Sequence, residues 1–403
     1  MKILFFDYWL KGIANFERLV PELQRRGCTD IRMVHVGSWK NPQDGLVHEH
    51  NGFKSYDIQH YHTYSFYKVL KMETPDVVVT MNLYFLMDKA IVVFCKKLGI
   101  KVVYMAHGRM LTKSDQFSDY LKKDLKKGLL GKIRIDTIAY LYNYWLSTFI
   151  SKKPLRFLIT LCALVKDPAS MTLYSSYTEE LAADKLLLFY ESDKTEYVCK
   201  RNFPDRNMTI VGNPELDGYI QSKIEDKEDF LRTLGVKSKA YLLYLDDGNV
   251  EARTMGKADW YDMLTVYTEI CKRHGLTLVV KLHPRTNQAE HQTYFDSQDI
   301  VAVKKVNFRN IVEHAYAVTS LMSTTITMPL ISGKRVISPR WGCFTDFDKS
   351  YPEDVIRYVY TPEEFERVLI SDEPTDRSKK YVKESIGIVD GHAIERIVEE
   401  IIS

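Results

Sequence analysis

The chain has 403 residues, a length that suits two or three domains, and its 45% apolar and 27% charged composition is ordinary for a folded soluble protein. A net charge of +3 gives no global argument for a nucleic-acid partner. No apolar run reaches the roughly 20 residues needed to span a bilayer.

Lys2 to Phe6 reads as a short buried strand rather than the start of a signal peptide, whose apolar region is longer and ends in small residues. Gly12 lies in the loop after it, and Phe16 to Arg26 has helical spacing. Ile31 to Val36 and Asp76 to Thr80 read as strands, followed by a helix from about Met87 to Leu98 that Gly99 stops. Lys101 to Ala106 is a buried strand delivering His107-Gly108. The glycine permits close approach, and a histidine at a strand's carboxyl end can act as a general base near neutral pH. It can equally do no more than bond a nearby loop.

Lys113 to Lys166 breaks the alternation. Lysines and arginines flank two apolar stretches, Ile138 to Ile150 and Leu155 to Val165. That pattern suits helices lying in a bilayer interface. It also suits an amphipathic insertion packed on its own domain or on a second subunit. Met171 to Tyr174 then reads as a strand, and Ser175-Ser176 with Glu179-Glu180 as a helix start. Met208 to Val211 is the last strand of this half, ended by Gly212-Asn213-Pro214. The charged stretch Lys223 to Lys239 reads as a connecting helix.

The second half repeats strand, helix, strand. Tyr241 to Leu245 ends in Asp246-Asp247-Gly248, and a helix follows from about Trp260 to His274. Leu276 to Leu282 ends in His283-Pro284-Arg285. Ala317 to Met322 runs into Ser323-Thr324-Thr325, a short helix, Gly333-Lys334 and a strand over Arg335 to Ser338. In open α/β sheets, ligands bind just outside the carboxyl ends of the strands. Asp246, Asp247, His283 and the Ser323–Thr325 loop are therefore expected to converge on one crevice. The six scattered cysteines, with no C-x-x-C pair, read as reduced thiols of a cytosolic protein. No histidine or cysteine cluster has metal-ligand spacing.

The order His107-Gly108, Val211-Gly212-Asn213-Pro214, Lys281-Leu282-His283-Pro284 and Ser323-Thr324-Thr325 before Gly333-Lys334 resembles the glycosyltransferases of bacterial surface polysaccharide synthesis with two Rossmann-like domains. The resemblance implies an α/β GT-B fold whose two domains face a central cleft. It places an acceptor domain over 1–220, with a basic and apolar helical insertion at about 113–168, and a nucleotide-donor domain over 221–403. The His-Pro pair is similar to that of cytidine-nucleotide users: bacterial sialyltransferases, Kdo transferases and CDP-glycerol glycerophosphotransferases.

By that resemblance, His283 and the hydroxyls of Ser323, Thr324 and Thr325 contact the donor phosphate. A helix N-terminus and an imidazole suit an anion, so no metal is required. The resemblance puts Gly12, Asn213, Asp246, Gly248, Pro284 and Arg285 among the donor-binding residues, and makes His107 the first candidate for catalytic base and Asp247 the second. The implied activity is transfer of a CMP-linked sialic-acid-like or Kdo-type sugar to a glycan or glycolipid of capsule or lipopolysaccharide. The implied location is cytoplasmic, peripheral on the inner face of the membrane. Two motifs depart from the relatives: Asp246-Asp247-Gly248 stands in the second half rather than the first, and the aspartate-tyrosine-serine-serine signature of the teichoic-acid enzymes is missing. CDP-glycerol or another CDP-polyol is the alternative donor. A UDP-sugar 2-epimerase of the same fold and a non-catalytic membrane-peripheral scaffold are the other readings.

Overall fold

The computed structural model describes residues 1–39, 46–81, 85–107, 135–166, 179–195, 203–252, 254–321, 324–342, 351–371 and 376–403. They form two compact units, Met1–Pro214 with Ile386–Ser403, and Glu215–Ser385.

The first unit is built on an eight-stranded sheet. Its strands are β1 (Lys2–Asp7), β2 (Asp30–His35), β3 (Val47–His50), β4 (Phe53–Asp57), β5 (Val77–Thr80), β6 (Lys101–Met105), β7 (Lys185–Leu188) and β8 (Met208–Ile210). They lie in the order β3-β4-β2-β1-β5-β6-β7-β8. All neighbours are parallel except β3 and β4. Ile3, Leu4, Phe5 and Phe6 are all fully buried, because helices cover both faces of a parallel sheet and a strand within it reads as one continuous apolar run. Phe5 stacks on Phe16 with ring centroids 4.5 Å apart. The helix expected over Phe16–Arg26 is two pieces, Ile13–Glu17 and Val20–Arg25; Pro21, in the first turn of the second, lacks the N–H that a continuous helix would need. The helix Leu86–Leu98 ends at Gly99 with φ +69°, as its sequence suggests.

Two features of this unit differ from the sequence reading. The β3–β4 hairpin, turned at Asn51-Gly52 with Gly52 at φ +87°, was not expected. Glu179 and Glu180 sit in a turn rather than the first turn of a helix. Glu180 there accepts from Arg156 at 3.1 Å and pairs with Lys153, and the chain then enters β7. The strand expected over Met171–Tyr174, the Ser175-Ser176 pair, Gly108 and the basic run 113–134 lie outside the described residues.

The final helix, Ala393–Ile402, belongs to the first unit, not the second, and the boundary falls at Pro214 rather than after residue 220. Ala393, Ile397, Val398 and Ile401 are buried. Lys101 Nζ donates to the carbonyls of Glu400 and Ile401 at 2.8 and 3.2 Å, which places a cation on the last unsatisfied oxygens of the helix. The Glu400 carboxylate accepts from Lys185 at 2.7 Å and from Thr209 at 3.2 Å. Arg396 donates from Nε to the Val211 carbonyl at 2.8 Å. Gly212, at φ +83°, leaves room for the returning chain: a Cβ there would meet the Ile388 carbonyl at 3.0 Å.

The second unit has six parallel strands, β9 (Tyr241–Leu245), β10 (Thr277–Lys281), β11 (Val301–Val303), β12 (Ala317–Thr319), β13 (Val336–Pro339) and β14 (Arg357–Val359), in the order β11-β10-β9-β12-β13-β14. Counted from β9, that is the 3-2-1-4-5-6 order of a doubly wound dinucleotide-type sheet. The order reverses between β9 and β12, so the switch point lies where Asp246-Asp247 and Ser320-Leu321 leave the sheet. The helix Lys257–Arg273 covers one face of the sheet with Trp260, Met263, Leu264, Tyr267 and Ile270. The connecting helix is Lys227–Leu234, capped by the Asp226 carboxylate, and it belongs to this unit.

Candidate functional site

β9 ends in Leu245, and the next two residues turn their carboxylates to different neighbours. Asp246 is buried. Its Oδ1 accepts from the Gly248 N–H at 2.9 Å; its Oδ2 accepts from the His283 N–H at 3.0 Å and the Thr286 hydroxyl at 2.7 Å. Asp246 thus fastens the loop after β10 to the end of β9. Asp247 reaches the other way: Oδ1 accepts from the Ser320 hydroxyl at 3.2 Å and Oδ2 from the Leu321 N–H at 3.1 Å. The acidic pair straddles the switch point, one carboxylate on each side.

The histidine held by this arrangement has a defined tautomer. His283 Nδ1 accepts from the Arg285 N–H at 3.1 Å, so the ring proton sits on Nε2, and Nε2 makes no hydrogen bond among the described residues. Burial holds the imidazole below its ordinary pKa, and the nearby Arg285 guanidinium lowers it further against the opposing pull of Asp246. The ring is therefore neutral at pH 7 and offers one N–H donor. Gly248 makes room for it: at φ +67°, a Cβ on this residue would lie 2.7 Å from His283 Nδ1. Pro284 and Arg285 are exposed beside it.

The far wall comes from β12 and β13. Arg340 is buried and donates to the Leu321 carbonyl at 3.1 Å and to Ser338 Oγ at 2.9 Å, with its guanidinium over the Tyr358 ring. It holds the start of the loop that carries Ser323 and Thr324. Ser323 is outside the described residues. Thr324 opens a single 3-10 turn, Thr324–Ile326, and Thr325 is half-buried in it. The following helix is only Thr327–Ile331, so any dipole at its N-terminus is short.

Asp246, Asp247, Gly248 and His283 thus meet within one unit as the strand order requires. Three contributors escaped the sequence reading. Thr286 and Ser320 are single hydroxyls with no spacing signal. Arg340 follows an apolar strand and was legible only as a cation at a strand end.

The remaining candidates belong to the first unit. His107 is exposed just past the carboxyl end of β6 and makes no hydrogen bond among the described residues. Gly12 stands against the Asp7 carboxylate, with a built Cβ 1.8 Å from Oδ2, so its lack of a side chain serves Asp7 at the end of β1. Asn213 is buried and donates from Nδ2 to the Tyr190 hydroxyl at 2.8 Å. Both positions therefore have a structural use. Among the described residues no group of three or more His, Cys, Asp or Glu side chains is arranged to hold a metal.

No protein-family model matches this sequence, and no curated protein matches it. Solved structures do match its fold along nearly its whole length. The UDP-GlcNAc 2-epimerase of Neisseria meningitidis, solved with UDP-GlcNAc bound, aligns at TM-score 0.54 and 13% identity over 100% of both chains. The UDP-GlcNAc 2-epimerase of Methanocaldococcus jannaschii aligns at 0.53 and 15%, over 99% of both. A calicheamicin glycosyltransferase aligns at 0.52 and 12%, over 100% of this chain and 97% of its own. The chain has the GT-B fold. The expected fold stands, but these neighbours are not the cytidine-nucleotide users that the His-Pro pair suggested.

Proposed function

We propose that this chain is a nucleotide-sugar enzyme that holds the nucleotide's phosphates at the carboxyl end of the six-stranded sheet, with a uridine diphosphate sugar as ligand. The observation that carries the reading is His283. Its Nε2–H, without a partner among the described residues, stands at the switch point of a doubly wound sheet, where such sheets bind nucleotides. The step is cleavage of the bond between the anomeric carbon and the phosphate oxygen as the neighbouring C2 proton is lost to a base, which leaves a C1–C2 double bond to which the proton and the diphosphate return. The electron pair leaves on the diphosphate, and an N–H donor aimed at that oxygen stabilises the charge as it develops. The uridine nucleotide and the epimerase direction are supported by the neighbours of the same fold, whose ligand is UDP-GlcNAc. An enzyme of that kind acts on its own substrate and needs no acceptor.

The second reading is a transferase, favoured by the His283-Pro284 pair. There a glycan or glycolipid hydroxyl attacks the anomeric carbon, and a CMP-linked sugar, or CDP-glycerol with phosphorus as the electrophile, is the donor. His107, at its strand end and without a hydrogen bond among the described residues, is the proposed base. Asp247 could serve only by giving up Ser320 and Leu321.

One experiment separates these. The purified chain is heated in the presence of UDP, UDP-GlcNAc, CMP or CDP, then incubated with UDP-GlcNAc alone while the sugar is followed by NMR. A ligand at 100-fold excess over Kd stabilises by about 2.7 kcal/mol. Stabilisation by UDP, with acceptor-free conversion of the sugar, supports the first reading. Stabilisation by cytidine nucleotides alone moves the function to the second, and no stabilisation by any nucleotide leaves only the scaffold reading. If His283→Ala keeps full turnover and affinity, where a loss of about 10²–10³-fold is expected, the phosphate assignment is wrong.

A further inference from the structure

The helical hairpin of the first unit, Ile135–Ile150 and Pro154–Lys166, is apolar on its outer face as well as on its inner one. The first helix packs on Leu86–Leu98 and turns Ala139, Tyr144, Leu146 and Ile150 inward together with several polar residues. Asn143 is fully buried; its Oδ1 accepts from the Phe66 N–H at 2.9 Å and its Nδ2 donates to the Tyr64 carbonyl at 2.8 Å. Ser147 and Thr148 are buried beside it. The outward stripe is Ile138, Tyr142, Trp145 and Phe149, a spacing of four, three and four that keeps one helix face; Ile138 is 54% and Phe149 52% exposed. The second helix is also apolar on its outer side. Arg156 reaches Glu180 and the Thr160 hydroxyl meets the Tyr144 hydroxyl at 3.1 Å, while Leu155 and Ile159 stand 70% and 68% exposed. The turn between them, with Lys152 at φ +58°, leaves both lysines 152 and 153 at the exposed tip.

A soluble helix ordinarily presents a polar outer face, and a contiguous exposed apolar face of this kind marks a docking surface. Charge says what docks. The hairpin carries Lys152, Lys153 and Arg156, the last two also facing Glu180, and from Thr137 to Lys166 the sequence has no acidic residue at all. A second copy would set this basic region against itself, whereas an anionic bilayer complements it. Tyr and Trp on the stripe are the side chains that settle at headgroup depth. No helix among the described residues is long and apolar enough to cross a membrane.

We propose that the outward face of this hairpin lies flat in the interfacial region of an anionic membrane. The inference does not depend on the proposed enzymatic reaction. The test is flotation of the full chain with vesicles of phosphatidylcholine alone or mixed with phosphatidylglycerol, at low and high salt, with Trp145 fluorescence read against Trp145→Phe. The expected result is binding to the mixed vesicles, weakened by salt, with Trp145 shifted to the blue and quenched by brominated acyl chains. Phe149→Ser and Ile159→Ser should each weaken partitioning roughly tenfold, without moving the thermal midpoint or the response to UDP. No flotation with either vesicle, or equal flotation of the variants, overturns the proposal. A dimer in sedimentation that these variants dissociate makes the face a contact between copies and overturns it too. So does a Trp145 already shielded from acrylamide in the vesicle-free monomer, which would mean that the chain covers its own face.

Discussion

Replacing Gly248 by alanine tests the geometry of the candidate site at its tightest point. The new Cβ would lie 2.7 Å from Nδ1 and 2.8 Å from Cγ of His283, well inside van der Waals contact. The ring cannot simply swing aside. The Arg285 N–H holds its Nδ1, and the residue's own N–H is held by Asp246. Two costs follow. An L-residue at φ +67° costs about 1 kcal/mol, and a displaced ring loses a hydrogen bond worth about 1 kcal/mol. Gly235 supplies the control: it caps the helix Lys227–Leu234 at φ +76°, with nothing within 4 Å of a built Cβ. Gly235→Ala bears the first cost alone.

In a unit spanning residues 215–385, each kcal/mol lowers the melting temperature by about 2–4 °C. Gly235→Ala should therefore fall by about 2–4 °C and Gly248→Ala by about twice that. Calorimetric titration with UDP adds the functional arm. A hydrogen bond to a charged group is worth about 1.5–3 kcal/mol, so moving Nε2–H off the phosphate should weaken binding roughly 10- to 100-fold in Gly248→Ala and leave Gly235→Ala unchanged. If both variants melt at one temperature and bind alike, the ring is not held where the structure places it.

Removing residues 388–403 strips β6, β7 and β8 of the helix whose Glu400 and terminal carbonyls engage Lys101, Lys185 and Thr209; hydrogen exchange should show those strands losing protection, and unchanged protection would mean the helix is dispensable. His283 and His291 are both held below their ordinary pKa, chiefly by burial, and next by Arg285 and by Lys257 respectively. The unfolded chain therefore binds these protons more readily. Their contribution to stability is complete above about pH 6.5 and is lost as pH falls through the lower folded values. The melting temperature should drop between pH 7.5 and 5, and His291→Gln should flatten part of that slope; a flat profile in the parent chain would refute it.

The sheet of the second unit was legible because its strands are buried on both faces. Tyr241–Leu245 and Leu278–Val280 read as unbroken apolar runs, and the polar residues after them, Asp246-Asp247 and His283, marked where the sheet stops. Strands half open to solvent were missed. Val47–His50 alternates exposed and half-buried residues, and only Asn51-Gly52 marked its hairpin. Arg357–Val359 is three residues long and carries little pattern. The allegiance of the last helix was invisible for another reason. Its apolar stripe fits either unit, and what decides is the meeting of Glu400 with Lys101 and Lys185, hundreds of residues away in sequence. The hairpin's apolar stretches were legible as helices, but not that Asn143 and Ser147 would take the inner face.

The acidic pair shows why residue identity alone misleads about role. Asp246-Asp247-Gly248 is spelled like a catalytic motif, and a carboxylate beside a histidine invites the reading of a base. The topology asks something else of it. At the switch point β10 continues the sheet on one side of β9 and β12 on the other, so no single crossover ties the two loops together. Asp246 holds the β10 loop, through the His283 N–H and the Thr286 hydroxyl, and Asp247 the β12 loop, through Ser320 and the Leu321 N–H. An aspartate is short enough to bond its own loop and rigid enough to fix a neighbour. With the carboxylates so engaged, His283 Nε2–H is a donor without a partner among the described residues. An N–H donor of that kind can stabilise the charge on a departing phosphate.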